Sequence, residues 1–402
     1  MIPLRAEARG LGASAHCAVE QGSVLLVLPA ADSNAALSQE LSRAFPGQSR
    51  ELADGMFACD LEGETAELPG LVFARQVLPR ARAVKASSIS TWASMLVDGV
   101  AGVLPDHQPW SLHVYPWQEG SGTPRLGARA FHTRARAGKR RVPQPAERAT
   151  SGALHNRAKR VREAALGLLR KRRRHLVRYL RQYDAPFLES EALVQLVMTS
   201  PEQGFLSVVP APFPFRERRA LSYFPGGEVA QATDKQAPSR AFAKLVEAEV
   251  RMGRRIEARD TCVDLGASPG SWTYVAARRG ARVTAVDRAE LRADLMHDPN
   301  VQFRQGDAFR FEPTAPVDWL LCDVIAGAER SSELLLDWLR RRWCRHFVLT
   351  LKVDHAGSSD VLWQLARDLP EQASEFWLLR LCANKKEVCA FGTIAPHGRT
   401  SA

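Results

Sequence analysis

From Thr261 onward the chain alternates strand-sized apolar runs with stretches of helical period. Cys262-Val263-Asp264-Leu265 breaks into Gly266-Ala267-Ser268-Pro269-Gly270-Ser271, a glycine-containing turn that opens a helix. Four further runs each end on a charged residue. Residues 281–286 end on Asp287, 301–306 on Asp307, 319–322 on Asp323 and 346–351 on Lys352. Strands interleaved with helices predict an α/β domain of Rossmann-like type over residues 216–402, built on an open parallel sheet. In such a sheet the carboxyl ends of the strands form the ligand crevice, so the charged strand-end side chains are expected to converge there.

The first half carries a different pattern. Strands at Ser23 to Leu28 and Met56 to Asp60 flank a helical stretch from Ser33 to Ala44, and Leu71-Val72-Phe73-Ala74-Arg75-Gln76 reads as the end of a small α+β unit over residues 1–88. Arg75 is as well explained by a structural ion pair as by a contact to RNA. Residues 89–215 then show a helix from Ser87 to Leu104, a strand with alternating faces at Trp110 to Tyr115, and strands at Leu193 to Met198 and Gly204 to Val209. The link Pro210-Ala211-Pro212-Phe213-Pro214 leads into the last region. There Ser239 is placed to cap a helix from Arg240 to about Arg254 that carries Lys244.

Composition narrows the classes. With 402 residues, 45% of them hydrophobic, the chain has enough length for two or three domains with sizeable cores. No apolar run approaches the roughly 20 residues that span a bilayer, and nothing behind Met1 reads as a signal peptide. The seven cysteines form no CxxC pair and no Cys/His ligand spacing, so a cytoplasmic protein without structural zinc and without a membrane partner is expected.

Charge adds more. Arg157 to Arg181 is helical by pattern, with Val161, Ala165, Leu168, Leu176 and Leu180 on one face. These 25 residues hold eleven Lys/Arg against the single acid Glu163, a net +10 out of a chain total of +11, so everything else carries about +1. A charge run is usually a solvated face. Concentrated on one helix near a second basic stretch, Arg134 to Arg141, it points instead to phosphate neutralisation, with Arg170, Lys171, Arg172, Arg173 and Arg174 as the candidate RNA contacts.

The turn after the first C-terminal strand selects a ligand class. Asp287 lies 21 residues beyond Gly266, the distance at which a carboxylate reaches the hydroxyls of an adenosine ribose. A dinucleotide site would need G-x-G-x-x-G, whose middle glycine is missing here, which leaves an oxidoreductase the least supported class. S-adenosylmethionine carries no phosphate and does not need that glycine.

With these residues in place the sequence resembles S-adenosylmethionine-dependent methyltransferases, and among them the FtsJ-type ribose 2'-O-methyltransferases marked by a Lys-Asp-Lys-Glu tetrad. The candidates are Lys244 in PSRAFAKLVEA, Asp323 in LLCDV, Lys352 in LTLKV and Glu387 in NKKEVCAFG. It is similar in particular to the 23S rRNA (cytidine) 2'-O-ribose methyltransferase M family, through LVFARQ, APSRAFAKLVEA, DLGASPGSWTY, WCRHFVLTLK and KKEV. That resemblance implies a ferredoxin-like segment over 1–88, a THUMP-like RNA-binding region over 89–215 and the methyltransferase domain over 216–402. It implies S-adenosylmethionine as cofactor and 23S rRNA, or a large-subunit precursor, as partner. Asp264, Gly266, Ser268, Pro269, Gly270 and Ser271 would line the methionine side, Asp287 the ribose, Asp307 the adenine, and Asp323 would sit near the sulfonium. Ser268 and Ser271 stand where the family turn often has Cys and Gly, and Ala241 replaces a serine.

The chemistry expected of the tetrad is removal of a proton from a ribose 2'-hydroxyl, with Lys352 as general base, Lys244 as a neighbouring cation, Asp323 orienting the Lys352 amine, and Glu387 holding either Lys244 or the ribose; no metal is required. A free lysine, with a pKa of about 10.4, is protonated at pH 7, so that role calls for an environment that releases the proton. Two alternatives stand beside this reading. An RNA base methyltransferase would carry an Asn/Asp-Pro-Pro-Tyr/Phe loop where this chain has Asp323-Val324-Ile325-Ala326. An RNA-binding protein with a degenerate cofactor pocket would account for Ser268, Ser271 and Ala241.

Overall fold

The structure is a computed structural model and describes residues 24–52, 55–60, 70–105, 107–117, 152–181, 190–212, 220–229, 232–353 and 358–394. The basic stretch Arg134 to Arg141 and Cys17 lie outside them.

The first half forms one sheet from β1 (Val24–Pro29), β2 (Ser49–Glu51), β3 (Phe57–Cys59), β4 (Ala74–Lys85), β5 (Trp110–Pro116), β6 (Ala192–Met198) and β7 (Gln203–Val209). Their order is β2-β3-β1-β4-β7-β6-β5, antiparallel except for the parallel β5–β6 pair. The strand β4 pairs β1 through its first part and β7 through its last four residues. The segments expected over 1–88 and 89–215 therefore share a continuous sheet. LVFARQ is the entry to β4 rather than the end of a unit, a correction whose cause lies at Pro79 and Arg80. The β1–β4 register slips there, and Arg80 takes φ 53, the signature of a bulge that lets a proline sit inside a long strand.

Among the described residues, α1 (Asn34–Ala44), α2 (Ile89–Ala101), α3 (Ala153–Arg172) and α4 (Arg174–Arg178) accompany this sheet. Trp92, Leu96, Val161, Ala165 and Leu169 of α2 and α3 pack with Trp110, Leu112, Val194 and Leu196 of the strands. The helix expected over Arg157 to Arg181 starts earlier, at Ala153, and breaks at Arg173, which has φ −143 and ψ 55. The break turns Leu176 into the core, where its carbonyl accepts a 2.8 Å hydrogen bond from Trp110 Nε1.

The second half builds the other sheet from β8 (Thr261–Leu265), β9 (Arg282–Asp287), β10 (Val301–Gln305), β11 (Val317–Cys322), β12 (Cys344–Lys352), β13 (Ala373–Leu379) and β14 (Glu387–Ile394), in the order β10-β9-β8-β11-β12-β14-β13. The first five are parallel. β14 alone runs the other way, pairing antiparallel with both β12 and β13, so the sheet is mixed rather than wholly parallel. Helices α5 (Phe242–Met252), α6 (Ser271–Arg278), α7 (Ala293–Met296), α8 (Ala328–Arg340) and α9 (Ser358–Gln372) accompany it. Leu335, Trp338, Leu362 and Leu365 pack with Leu320, Phe347 and Leu349 in one apolar layer, and Leu245, Ala248 and Trp272 pack with Ala285, Leu321 and Phe391 in another. The central strands are thus enclosed by two apolar layers, which explains why they read as unbroken apolar runs.

Contacts tie the halves together. Arg75 pairs with Glu228, its side chain only 8% exposed, so of its two expected roles the structure favours the ion pair. Gln76 Nε2 donates to the Ser222 carbonyl, and Arg380 N donates to the Val72 carbonyl at 2.9 Å. No helix among the described residues is long and apolar enough to cross a membrane.

Candidate active site

An antiparallel strand at the right place assembles the site. β12 ends on Lys352 and β14 begins on Glu387, and the two residues are register partners. A glutamate at the start of one strand therefore meets a lysine at the end of another. Asp323 follows the last residue of β11, the neighbour of β12 on its other side, and Lys244 comes from the first turn of α5.

All four candidates from the sequence meet. Lys244 Nζ donates to both carboxylate oxygens of Asp323, at 2.9 and 3.0 Å, and lies 3.4 Å from Glu387 Oε1. Lys352 Nζ donates to the same Oε1 at 2.9 Å and stands 3.9 Å from Asp323 Oδ1. Two amines and two carboxylates balance one another, as partly buried charges must if their removal from water is to be compensated. Lys244 is the more enclosed amine, its side chain 10% exposed against 20% for Lys352.

Two further groups complete the cluster, and neither was singled out from the sequence. Thr350 Oγ1 donates to Asp323 Oδ1 at 2.6 Å, and the Lys385 N–H donates to Glu387 Oε2 at 2.9 Å. Strand alternation could have found Thr350, because it stands two residues before Lys352 and so shares its face. Electrostatics follow from this packing. Burial alone would lower the Lys244 pKa, but Asp323 and then Glu387 outweigh it and raise it, favouring the ammonium. Burial would raise the Glu387 pKa, yet the hydrogen bonds from Lys352 and the Lys385 N–H, with the nearby ammoniums, pull it down from 4.5 to about 2.

The glycine turn lies alongside. Gly266 has φ 73, and a Cβ there would come within 2.8 Å of Val324 Cα, so only glycine lets the turn pack against the chain leaving β11. Gly270, at φ 105, would run its Cβ into Leu295. Asp264 is 1% exposed, and its Oδ2 accepts from both Thr273 N and Thr273 Oγ1, at 2.9 and 2.6 Å. Burial pushes its pKa up to about 7 against those bonds. Asp264 therefore fixes the turn onto α6.

Asp287 accepts from Ser268 N at 3.0 Å and Ala289 N at 2.9 Å, which couples the end of β9 to the turn. Ser268 Oγ donates to the Glu290 carbonyl at 2.9 Å. Pro269 contributes its carbonyl to Arg292 N. Ser271 Oγ and Ser239 Oγ are 2.7 Å apart, and Ser239 Oγ also accepts from Ala241 N. The expected cap is corrected: α5 begins at Phe242 rather than Arg240, Ala241 occupies its N-cap position without a side-chain hydrogen bond, and Ser239 closes a turn just ahead of the helix. Asp307 lies just beyond β10, accepting from Phe309 N and from Arg288, both at 2.9 Å, with Arg330 at 3.9 Å. Among the described residues no group of three or more His, Cys, Asp or Glu is placed to hold a metal ion. Arg170, Lys171, Arg172, Arg173 and Arg174 are exposed at the α3–α4 junction and do not join this cluster.

Comparison with known families falls on the part of the chain that carries three of the four clustered residues. Residues 237–370 match the FtsJ-like methyltransferase family. The FtsJ-like stretch contains Lys244, Asp323 and Lys352 and stops short of Glu387. A curated relative, ribosomal RNA large subunit methyltransferase M of Halorhodospira halophila, is 36% identical over 186 residues, covering 45% of this chain and 54% of its own length. The protein of the same name from Xylella fastidiosa strain M12 is 41% identical over 124 residues, covering 29% and 35%. The chain thus spans about half the length of the first relative and about a third of the second. A solved structure of a SAM-dependent methyltransferase from Aquifex aeolicus aligns with 35% of this chain and 85% of its own at 15% identity and a TM-score of 0.27, a likeness on which no argument rests.

Proposed function

We propose that the protein methylates a ribose 2'-hydroxyl of large-subunit ribosomal RNA, probing no base edge for the chemistry itself, with S-adenosylmethionine as methyl donor and a cytidine of 23S rRNA as the target, in the cytoplasm. The observation that carries this reading is the Lys244–Asp323–Lys352–Glu387 cluster at the carboxyl ends of β11 and β12. The FtsJ-like match over residues 237–370 and the names of the relatives support it.

The donor set fits the cofactor. Strand-end carboxylates at Asp287, Asp307 and Asp323 suit a ligand with ribose hydroxyls, an amino group and a cationic centre, and the turn from Gly266 to Ser271, held by Asp264, opens the N-terminus of α6 beside them. Asp287 would hold the ribose, Asp307 the adenine side, and the turn residues Gly266, Ser268, Pro269, Gly270 and Ser271 the methionine side. When bound, S-adenosylmethionine supplies the electrophilic methyl group.

The remaining work falls to the cluster. A ribose hydroxyl is a poor nucleophile at neutral pH until its proton has somewhere to go. Lys244 is committed to two carboxylates that favour its ammonium form, so it serves as the fixed cation. Lys352 is the more open amine. In its neutral form it accepts the hydroxyl proton, while Glu387 holds the amine in place and Asp323, anchored by Thr350, keeps Lys244 beside it. Positioning and general-base catalysis are the two contributions, the second worth roughly 10²–10⁴-fold.

The basic run at the α3–α4 junction is the RNA-binding face in this proposal, on the THUMP-like and ferredoxin-like first half of the chain. Mapping 2'-O-methylation of rRNA from cells with and without the protein tests the reading. One 23S ribose that loses its methyl group when the protein is absent is expected; an unchanged ribose map with an altered base modification would replace it by base methylation.

A further inference from the structure

We propose that Ile325 is the surface on which the base of the methylated nucleotide rests. This builds on the ribose-methylation reading. Ile325 is 91% exposed, and among the described residues Val103, at 43%, is the other large apolar side chain left open to solvent. A single exposed isoleucine would mean little by itself. Its setting gives it meaning.

Ile325 stands two residues after Asp323, in the short loop Asp323–Gly327 that connects β11 to α8. That loop is held on two sides. Val324 packs against the Cβ-less Gly266, with the room for a Cβ already taken at 2.8 Å, and Gly327 forms a parallel bridge with Lys352. Ala328, the first residue of α8, is buried. With both ends of the loop held, Ile325 between them stays open to solvent. It is presented at the rim between two members of the cluster, Asp323 and Lys352.

The chemistry of its surroundings sets the kind of occupant. Asp323 and Lys352 are charged, and Glu329 and Arg330 follow on the first turn of α8. One exposed apolar side chain, in a loop with Asp323 before it and Glu329 and Arg330 after it, is too small a patch for a lipid surface or a protein partner. It matches one flat apolar face. A nucleotide whose 2'-hydroxyl meets Lys352 carries its base on the adjacent ribose carbon, which brings the base to this rim. An apolar contact reads no hydrogen-bonding edge, so Ile325 places the nucleotide without selecting among bases.

The test uses the full chain and unmodified 23S rRNA transcribed in vitro, with steady-state methyl transfer and calorimetric titration of S-adenosylmethionine. Ile325→Ala is expected to raise the KM for the transcript about tenfold, with kcat within threefold and cofactor affinity within twofold. Ile325→Phe, which keeps an apolar face, is expected to stay within threefold of the unaltered protein in KM. A KM within twofold in the alanine variant overturns the proposal, as does a phenylalanine variant impaired as badly as the alanine one, or a loss of cofactor binding in either. The two readings fail differently. If the unaltered protein leaves the transcript unmethylated, ribose methylation itself is overturned; if it methylates the transcript and Ile325→Ala matches it, only the base contact is.

Discussion

The crevice of the second sheet and the α3–α4 junction both concentrate charge, and they do so in opposite ways. In the crevice four charged groups separated by up to 143 residues of sequence come within 4 Å of opposite partners, each sign balanced by the other. At the junction Arg170 to Arg174 are five consecutive cations, all exposed, with no acid paired to them among the described residues. Charge that is scattered in sequence and matched in space is preorganised for a reaction. Charge that is contiguous and unmatched is free to neutralise a polyanion. The first arrangement needs the whole fold to exist, the second only a helix.

Removing the amine tests the crevice most severely. Lys352→Ala is expected to lower methyl transfer by roughly 10²–10⁴-fold, the range of general-base catalysis, while S-adenosylmethionine binding stays within a few-fold. Rates from single-turnover assays and affinities from calorimetry separate the two effects. Near-normal turnover would remove Lys352 from its role and leave the cluster as a structural ion-pair network.

Charge reversal of Arg170 to Arg174 tests the other side. RNA affinity near physiological salt is expected to fall by about 10²-fold or more, and the slope of log K against log salt to flatten by about 0.7 for each single-strand phosphate that is no longer neutralised. Turnover at saturating RNA should stay the same, and so should the unfolding midpoint, because exposed substitutions of this kind cost within about 0.5 kcal/mol. An unaltered salt slope would return the run to a solvated face and dissolve the contrast between the two regions.

Two of the four clustered residues were legible because local rules place them. Asp323 and Lys352 end apolar runs of strand period. Lys244 sits on a helix whose local pattern reads as a solvated surface, and only the Lys-Asp-Lys-Glu order picks it out. Glu387 too was legible only through that pattern, since nothing local says that β14 slots between β12 and β13 and runs backwards. Other features were hidden for physical reasons. Pro79 inside β4 argues against a strand until the bulge at Arg80 is seen. The break at Arg173 depends on Trp110, which lies more than sixty residues earlier and captures the Leu176 carbonyl. Ile325 reads as an ordinary apolar residue, and only the fold exposes it.

The gentlest test lowers the pH and asks whether the crevice's pairing is felt by the whole protein. Glu387 has its pKa lowered from 4.5 to about 2, burial opposing the shift while Lys352, the Lys385 N–H and Lys244 drive it. A carboxyl with a depressed folded-state pKa contributes stability that is fully present above its unfolded value, near 4.5, and is lost as pH falls through the folded value, near 2. A shift of this size corresponds to about 3 kcal/mol, which becomes about 2 kcal/mol once solvent screening of a partly open site is allowed for. Urea unfolding of the unaltered protein and of Glu387→Gln should therefore differ by about 2 kcal/mol at pH 6. The gap should narrow below pH 4.5 and close toward pH 2, whereas Arg170→Gln should show no gap at any pH. A gap that stays constant with pH would mean that Glu387 stabilises through packing rather than through the two ammoniums, and the crevice would then differ from the basic helix in burial alone.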